Sequence, residues 1–171
     1  MNNKPNLIIF TGVDCTGKST IAKYVSDKLK LSLKSPDKPK DKQEGKLINY
    51  NILDSVNTDI ILDRYYMEEI VYAPIYRGYK ADYIKELEKQ LMERFNVILV
   101  YTYASTNVIK QRFDTRGEDS TRKEDIEQLK INYCDFLHSS LITKRIVVNT
   151  SYDLSDNDYE DILYNIKCNL N

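Results

Sequence analysis

The residues GVDCTGKS, Gly12 to Ser19, carry the clearest chemistry in this 171-residue sequence. They match the spacing G-x-x-x-x-G-K-[ST] of a phosphate-binding loop. Glycines let the backbone curl so that successive N–H groups point into one anion-sized hollow. An apolar run precedes the loop and a helical pattern follows it, which is the context that the motif requires. The loop therefore predicts a bound nucleoside triphosphate or a similar ligand.

Two side chains of this loop have expected roles of their own. Lys18 should reach the outer phosphates, and the Ser19 hydroxyl should ligate Mg²⁺. We expect Lys18 to be exposed in the empty loop. The start of the following helix adds the positive end of its dipole to the site. The residues assigned to the triphosphate are Gly12, Val13, Cys15, Thr16, Gly17, Lys18, Ser19 and Thr20.

Asp14 stands out because a carboxylate beside a bound polyphosphate would be repelled by it. Its presence is explained if it faces a second ligand whose hydroxyl groups donate to it. A plain surface carboxylate on the loop is the alternative.

A second cluster, Asp63 and Arg64, ends the apolar stretch DIILD. The carboxyl ends of strands are where α/β sheets build their sites. Asp63 could hold Mg²⁺ through water, and the forked guanidinium of Arg64 suits a phosphate. A structural salt bridge is the alternative.

A third cluster presents arginines, Arg112 and Arg116, four residues apart and thus on one helix face. An anion between them would remove their mutual repulsion. Gly117 should break the helix, and a polar loop containing Arg122 follows. A mobile arginine-bearing segment, or lid, is typical of enzymes that transfer phosphoryl groups. A solvated basic face is the alternative.

The elements that must position these residues follow from the apolar pattern. Five short, mostly apolar runs predict strands at 7–10, 31–34, 59–63, 96–102 and 145–149. Such runs are typical of strands buried on both faces of a parallel sheet. Helical spacing predicts helices over 21–29, 43–57, 84–95, 106–113, 126–141 and 162–170. Alternating strands and helices indicate an α/β fold with a doubly wound parallel sheet. Residues 35–46 are expected to form an exposed loop, and residues 1–171 a single domain.

Composition limits the function classes. The net charge of −1 gives no global attraction to nucleic acid or to an anionic membrane, so we expect neither as a partner. No apolar run approaches the ~20 residues that span a bilayer. Three unclustered cysteines and one histidine argue against a disulfide framework or a zinc site and fit the cytoplasm, which would be the host's if the gene is viral. A homodimer is left open.

Taken together, these motifs resemble the thymidylate kinase family. The stretch GVDCTGKST fits its loop G-x-D-x-x-G-K-S-T, and Asp63, Arg64 and Tyr65 fit its D-R-Y. Arg112, Arg116, Gly117 and Glu118 fit its lid R-x-x-x-R-G-E. The resemblance covers nearly the whole chain in element order and rests on these three motifs at residue level.

The resemblance implies a five-stranded P-loop kinase fold and small-molecule nucleotide substrates, with ATP and Mg²⁺ as cofactors. Lys18, Ser19 and Thr20 would serve the donor phosphates, with Asp63 assisting Mg²⁺. Asp14, Arg64 and Tyr65 would contact the acceptor. Arg112 and Arg116 would surround the transferring phosphoryl group, which makes them catalytic with Lys18 and Asp63. The implied reaction phosphorylates a deoxynucleoside monophosphate, dTMP to dTDP.

The sequence departs from that family on the acceptor side. The stretch KSPDKPKD stands in place of R-E-P-G-G, and MEEIVYAPIYRGYK replaces the serine, alanine-tyrosine and glutamine that follow D-R-Y. Candidates for a rebuilt acceptor pocket are Tyr72, Tyr76, Arg77 and Tyr79. Aromatic rings stack on a base and an arginine pairs with a phosphate, although these tyrosines could instead simply pack a helix and loop.

Two alternatives are left open. A deoxynucleoside kinase would need a carboxylate base for the 5′-hydroxyl, and Asp37 is the candidate just after strand two. A nucleotide-binding module without catalysis is the other. Its GTPase-like form would be supported by a guanine-specific N-K-x-D, which the sequence lacks.

Overall fold

The computed structural model describes residues 4–116 and 121–171, and in them five parallel strands form one sheet in the order β2-β3-β1-β4-β5. The strands are β1 (Asn6–Thr11), β2 (Ser32–Lys34), β3 (Ile60–Asp63), β4 (Asn96–Tyr103) and β5 (Arg145–Asn149). Every residue of β1 and β3 is buried. That explains why these strands read as continuous apolar runs rather than alternating ones.

Seven α-helices cover the two faces of the sheet in the described residues. They are α1 (Lys18–Leu29), α2 (Lys42–Ser55), α3 (Met67–Tyr76), α4 (Ile84–Arg94), α5 (Thr106–Arg116), α6 (Ile126–Ser139) and α7 (Asp156–Lys167). A 3₁₀ turn, Lys123–Asp125, precedes α6. Apolar residues of α1 and α7 pack on one face of the sheet, and those of α2 to α6 pack on the other. The predicted α/β architecture is confirmed.

The loop predicted at 35–46 ends earlier than expected, because α2 begins at Lys42. The Asp41 carboxylate accepts hydrogen bonds of 2.9 Å from the backbone N–H groups of Gln43 and Glu44. The Glu44 carboxylate in turn accepts from the Lys40 backbone N–H at 2.6 Å. This reciprocal capping starts the helix inside a stretch whose proline and lysine content suggested a loop.

Helix α3 was not predicted, and it carries Tyr72 and Tyr76, two of the candidates for the acceptor pocket. Pro74 interrupts its apolar pattern and removes one helical hydrogen bond. The helix is tied to α6 in the same turn, since the Asn132 side chain donates to the Val71 carbonyl at 3.0 Å. The other differences between prediction and structure lie at the ends of helices and strands. The predicted helix residues Leu141 and Leu170 lie beyond α6 and α7, α5 extends to Arg116, and β2 does not include Leu31.

Because all five strands are parallel, their carboxyl ends lie along one edge of the sheet. In the pairing of β1 with β3, Phe10 lies opposite Asp63, and in the pairing with β4, Thr11 lies opposite Tyr101. The loops leaving β1 and β3 therefore start side by side. Across the described residues, no helix has the length and apolar content to cross a membrane.

Candidate active site

The loop from Gly12 to Gly17 connects β1 to α1. Gly12 has φ of +148°, and a Cβ atom there would overlap the Thr102 carbonyl and hydroxyl of β4. The Thr16 hydroxyl donates to the Val13 carbonyl at 2.7 Å and lies 2.7 Å from the Thr102 hydroxyl. These internal bonds hold the loop in shape. Val13 and Thr16, both buried, are thus available to a ligand mainly through their backbones.

The helix that follows the loop begins without a side-chain cap, since Gly17 is its N-cap residue. Gly17, Ser19 and Thr20 are exposed at this end. The first N–H groups of a helix have no partner within it, and they attract anions together with the helix dipole. The loop and helix start are therefore arranged to bind phosphate.

Lys18 is buried at 3% exposure, which corrects the expectation of an exposed lysine. Its ammonium group donates to the Asp14 carboxylate at 3.3 Å and to the Val13 carbonyl at 3.4 Å. The reason is Asp14 itself, which gives the ammonium group a partner across the loop.

Asp14 is likewise buried, and its carboxylate is neutralised within the protein. It accepts from an Arg64 guanidinium nitrogen at 2.7 Å and from the Thr121 hydroxyl at 2.6 Å, in addition to Lys18. Burial alone would raise the pKa of Asp14, but Lys18, Arg64 and Thr121 together lower it from 3.8 to about 2. Asp14 thus links the phosphate loop to the end of β3 and to the segment before α6.

Asp63 and Arg64 have unusual environments at the end of β3. Arg64 adopts φ of +77°, which is strained for a residue with a Cβ atom, and its N–H donates to the Phe10 carbonyl at 2.9 Å. Asp63 is buried, and its Oδ1 atom has no hydrogen-bond partner within the described residues. A buried carboxylate oxygen without a donor fits a position where a cation or its water shell completes the site.

The two arginines of α5 both point at the phosphate loop. Arg112 donates to the Cys15 carbonyl at 3.2 Å and to the Thr150 carbonyl at 2.7 Å, and the Arg116 guanidinium lies 3.9 Å from the Cys15 sulfur. Arg112 is half-buried, whereas Arg116 is exposed. The shared helix face expected from their spacing is present. Gly117 and Glu118, the other predicted lid residues, lie outside the described residues.

One side of the loop opens into a cavity of about 160 Å³, which we call the acceptor cavity after the role expected of its residues. Its predicted lining residues are Asp14, Asp37, Arg64, Tyr65, Tyr72, Tyr76 and Arg77. The rings of Tyr72 and Tyr76 stack with centroids 6.0 Å apart. The Tyr65 hydroxyl is occupied by the Asn49 carbonyl at 2.7 Å, so Tyr65 offers its ring rather than its hydroxyl. Tyr79 does not line the cavity but bonds to Glu69, which does.

The other side of the loop opens into a second cavity of about 330 Å³, the donor cavity. It is lined by Cys15, Gly17 and Thr20 of the loop and by Arg112 and Arg116 of α5. The residues after β5 close it, and sequence reasoning missed them: Thr150, Tyr152, Asp153 and Leu154, with Tyr159 of α7. The one sequence signal for these residues is their position directly after a predicted strand, because the carboxyl ends of the strands lie at the edge of the sheet that carries the site.

Acidic residues of the acceptor cavity were also missed. Glu68 is half-buried, accepts from the Tyr133 hydroxyl at 2.9 Å and from Thr11 at 3.2 Å, and has a pKa raised by burial. Glu69 is buried and joins Arg77, Tyr79 and Tyr83. Gly45 and Asn49 of α2 complete the wall. The sequence signal that could have indicated Glu68 and Glu69 is that they form an adjacent Glu-Glu pair shortly after the end of β3.

Comparison with solved structures gives matches over nearly the whole chain. The crystal structure of YorR from Bacillus subtilis in complex with phosphorylated GDP superposes with a TM-score of 0.77 at 24% identity, covering 94% of this chain and 95% of that one. A deoxyadenosine kinase from M. mycoides with bound dATP gives a TM-score of 0.64 at 22% identity, covering 94% and 99%. Fold and phosphate loop together define the class of fold, which is that of the P-loop kinases.

Sequence comparison narrows the class. The SPbeta prophage-derived protein YorR of Bacillus subtilis is 30% identical over 129 residues, covering 72% of this chain and 76% of YorR. The chain belongs to the same family as YorR. A thymidylate kinase of Leptospira interrogans is 26% identical over 164 residues, covering 75% of this chain and 78% of the kinase. No protein-family model matches the chain.

Proposed function

We propose that this protein transfers the γ-phosphoryl group of ATP to a deoxynucleoside monophosphate, with dTMP as the acceptor and dTDP as the product. The observation that carries the proposal is that residues of one phosphate loop line both cavities. Cys15 and Gly17 line the donor cavity. Asp14, the residue directly before Cys15, lines the acceptor cavity. Two ligands bound there would bring their phosphates together at the start of α1.

In this proposal the acceptor phosphate is already a competent nucleophile, so positioning and charge neutralisation are what the enzyme must supply. Lys18 and the N–H groups at the start of α1 would hold the donor phosphates. Arg64 would bind the acceptor phosphate. Arg112 and Arg116, already against Cys15, would offset the charge of the transferring group.

Magnesium would be held at Ser19 and Asp63, where the unpartnered Asp63 oxygen fits a cation or its water shell. No group of three or more Asp, Glu, His or Cys side chains in the described residues forms a ready metal cage. Magnesium commonly binds through one or two protein oxygens plus phosphates and water, so this sparse donor set is suitable. When bound, the ion would neutralise phosphate charge.

Phosphorylation of a deoxynucleoside is the second candidate. It is favoured by two carboxylates that line the acceptor cavity, the exposed Asp37 and the half-buried Glu68. Either of them could accept a proton from a 5′-hydroxyl. The fold likeness to a deoxyadenosine kinase agrees with it. Arg64 favours the monophosphate, since a guanidinium fork gains much from a phosphate and little from a hydroxyl.

The experiment that tests the proposal is a coupled assay of ADP release with ATP and Mg²⁺. The acceptors are the four deoxynucleosides and their monophosphates, one at a time. We expect ADP release with monophosphates and the highest rate with thymidylate. Release with nucleosides alone would support the second candidate, and no release with any acceptor would contradict kinase activity towards both classes.

A further inference from the structure

Glu69 and Arg77 line the acceptor cavity, and each has one buried polar atom without a hydrogen-bond partner among the described residues: Oε1 of Glu69 and Nε of Arg77. Glu69 is only 2% exposed. Arg77 Nη2 lies 3.0 Å from Oε1, so the two charges are paired, yet the geometry of that approach is not that of a hydrogen bond. A buried donor and a buried acceptor left without partners cost free energy that a suitable ligand would recover.

The surroundings fix the positions of both atoms. The Tyr79 hydroxyl donates to the other Glu69 oxygen, Oε2, and the Arg77 Nη1 atom donates to the Pro39 carbonyl at 3.3 Å. On the α2 side, a Cβ atom at Gly45 would overlap the Glu69 carboxylate. The carboxylate therefore sits against the α2 backbone, where a side chain at position 45 would require it to shift. Burial raises the pKa of Glu69, while Tyr79 and Arg77 oppose that shift.

The chemistry of this pair selects its ligand. A phosphate offers only acceptors and would meet the negative charge of Glu69, so Arg77 is not suited to phosphate binding. A group with an N–H beside an acceptor would satisfy Glu69 Oε1 and Arg77 Nε together. The hydrogen-bonding edge of a nucleobase has this arrangement. The stacked rings of Tyr72 and Tyr76 line the same cavity and suit a flat ring.

We propose that Glu69 and Arg77 are the residues that read the acceptor base, with Glu69 Oε1 accepting a base N–H and Arg77 Nε donating to the acceptor atom beside it. This rests on the proposed function for the identity of the ligand. Thymine fits through N3–H and O4, and guanine fits through N1–H and O6. Adenine and cytosine fit through an exocyclic amino group and a ring nitrogen.

The test measures binding by titration calorimetry, so it does not depend on turnover. Thymidylate is compared with N3-methylthymidylate, and deoxyguanylate with N1-methyldeoxyguanylate, against the wild-type protein. Deoxyadenylate and deoxycytidylate form the third arm. We expect the preferred base to lose about 30-fold or more in affinity when its ring N–H is methylated, or, if an amino base is preferred, when its exocyclic amino group is dimethylated.

The variant Glu69→Gln then closes a cycle, because it keeps the side-chain shape but removes the charge. In it the penalty for methylation should fall by about tenfold, while affinity for an ATP analogue stays unchanged. Glu93→Gln, on the exposed surface of α4, is the matched control and should retain the full penalty. If Glu69→Gln fails to fold, the wild-type comparison still tests the proposal, because equal binding of the methylated and unmethylated forms would overturn it.

Equal affinity of the wild type for methylated and unmethylated forms of every base would overturn the proposal. So would an undiminished penalty in folded Glu69→Gln. A methylation penalty that falls in Glu69→Gln, without any phosphorylation, would instead contradict the proposed function and leave the base-reading pair supported.

Discussion

At the scale of residues, the site centres on one buried carboxylate between two cations. Asp14 joins Lys18 and Arg64, and Thr121 completes its hydrogen bonds. With no phosphate bound, an unpaired ammonium and guanidinium at this site would repel each other. Asp14 offsets that repulsion. This role explains the acid in an anion-binding loop better than the alternative that Asp14 is a plain surface carboxylate.

Lys18→Ala should abolish phosphoryl transfer, since no other side chain of the loop brings a cation to the donor phosphates. Because Lys18 is buried and paired, we also expect the free energy of unfolding to fall by about 2 kcal/mol. Lys23→Ala is the control: its pair with Asp27 is exposed and should be worth less than about 0.5 kcal/mol. Chemical denaturation and initial rates measure the two effects. Near-normal turnover in Lys18→Ala would contradict the assignment of the phosphate loop.

Asp14 should make stability depend on pH in a defined window. Its pKa is lowered to about 2 in the folded protein, against 3.8 for the unperturbed group. A lowered pKa means that the stabilisation is complete above about pH 4 and is lost as the pH falls towards 2. The shift corresponds to about 2 kcal/mol.

The measurement for Asp14 is the free energy of unfolding of wild type and Asp14→Asn between pH 2 and pH 7. The difference between them should be largest above pH 4 and should shrink below it. Asp27→Asn, at an exposed aspartate, is the matched control. A difference that is constant across the range would contradict the coupling of Asp14 to Lys18 and Arg64.

At the scale of elements, α5 carries its two arginines to the phosphate loop. Arg112→Ala and Arg116→Ala should each lower kcat by about 100-fold or more while changing ATP affinity less, because their proposed partner is charge in the transition state. Lys110→Ala, on the exposed side of the same helix, is the control. Full turnover in both arginine variants would mean that this basic face is merely solvated.

Elements also differ in how well the sequence predicts them. The phosphate loop, the end of β3 and the shared face of Arg112 and Arg116 follow from local spacing. The pairing of Glu69 with Arg77 does not, because it spans a proline-containing helix and depends on Gly45 of α2. The contacts of Arg64 and Thr121 with Asp14 were missed for a similar reason, since these residues reach Asp14 only in the folded chain.

At the scale of the whole molecule, parallel strands bring the carboxyl ends of β1, β3 and β4 to one edge, where both cavities open on either side of the phosphate loop. Two apolar clusters, one on each face, hold this sheet between its helices. We propose that residues 1–171 form a single domain, because the same sheet supports every part of the site.

The measurement that tests the central claim most directly is the initial rate of the wild-type protein with thymidylate and with thymidine at matched concentration, with ATP and Mg²⁺. We predict a rate with thymidylate at least about tenfold higher, because the Arg64 fork gains two charge-assisted bonds from a phosphate and almost none from a hydroxyl. Arg64→Ala should raise the KM for thymidylate steeply and spare that for ATP. A wild-type protein that phosphorylates thymidine faster than thymidylate would contradict the monophosphate assignment.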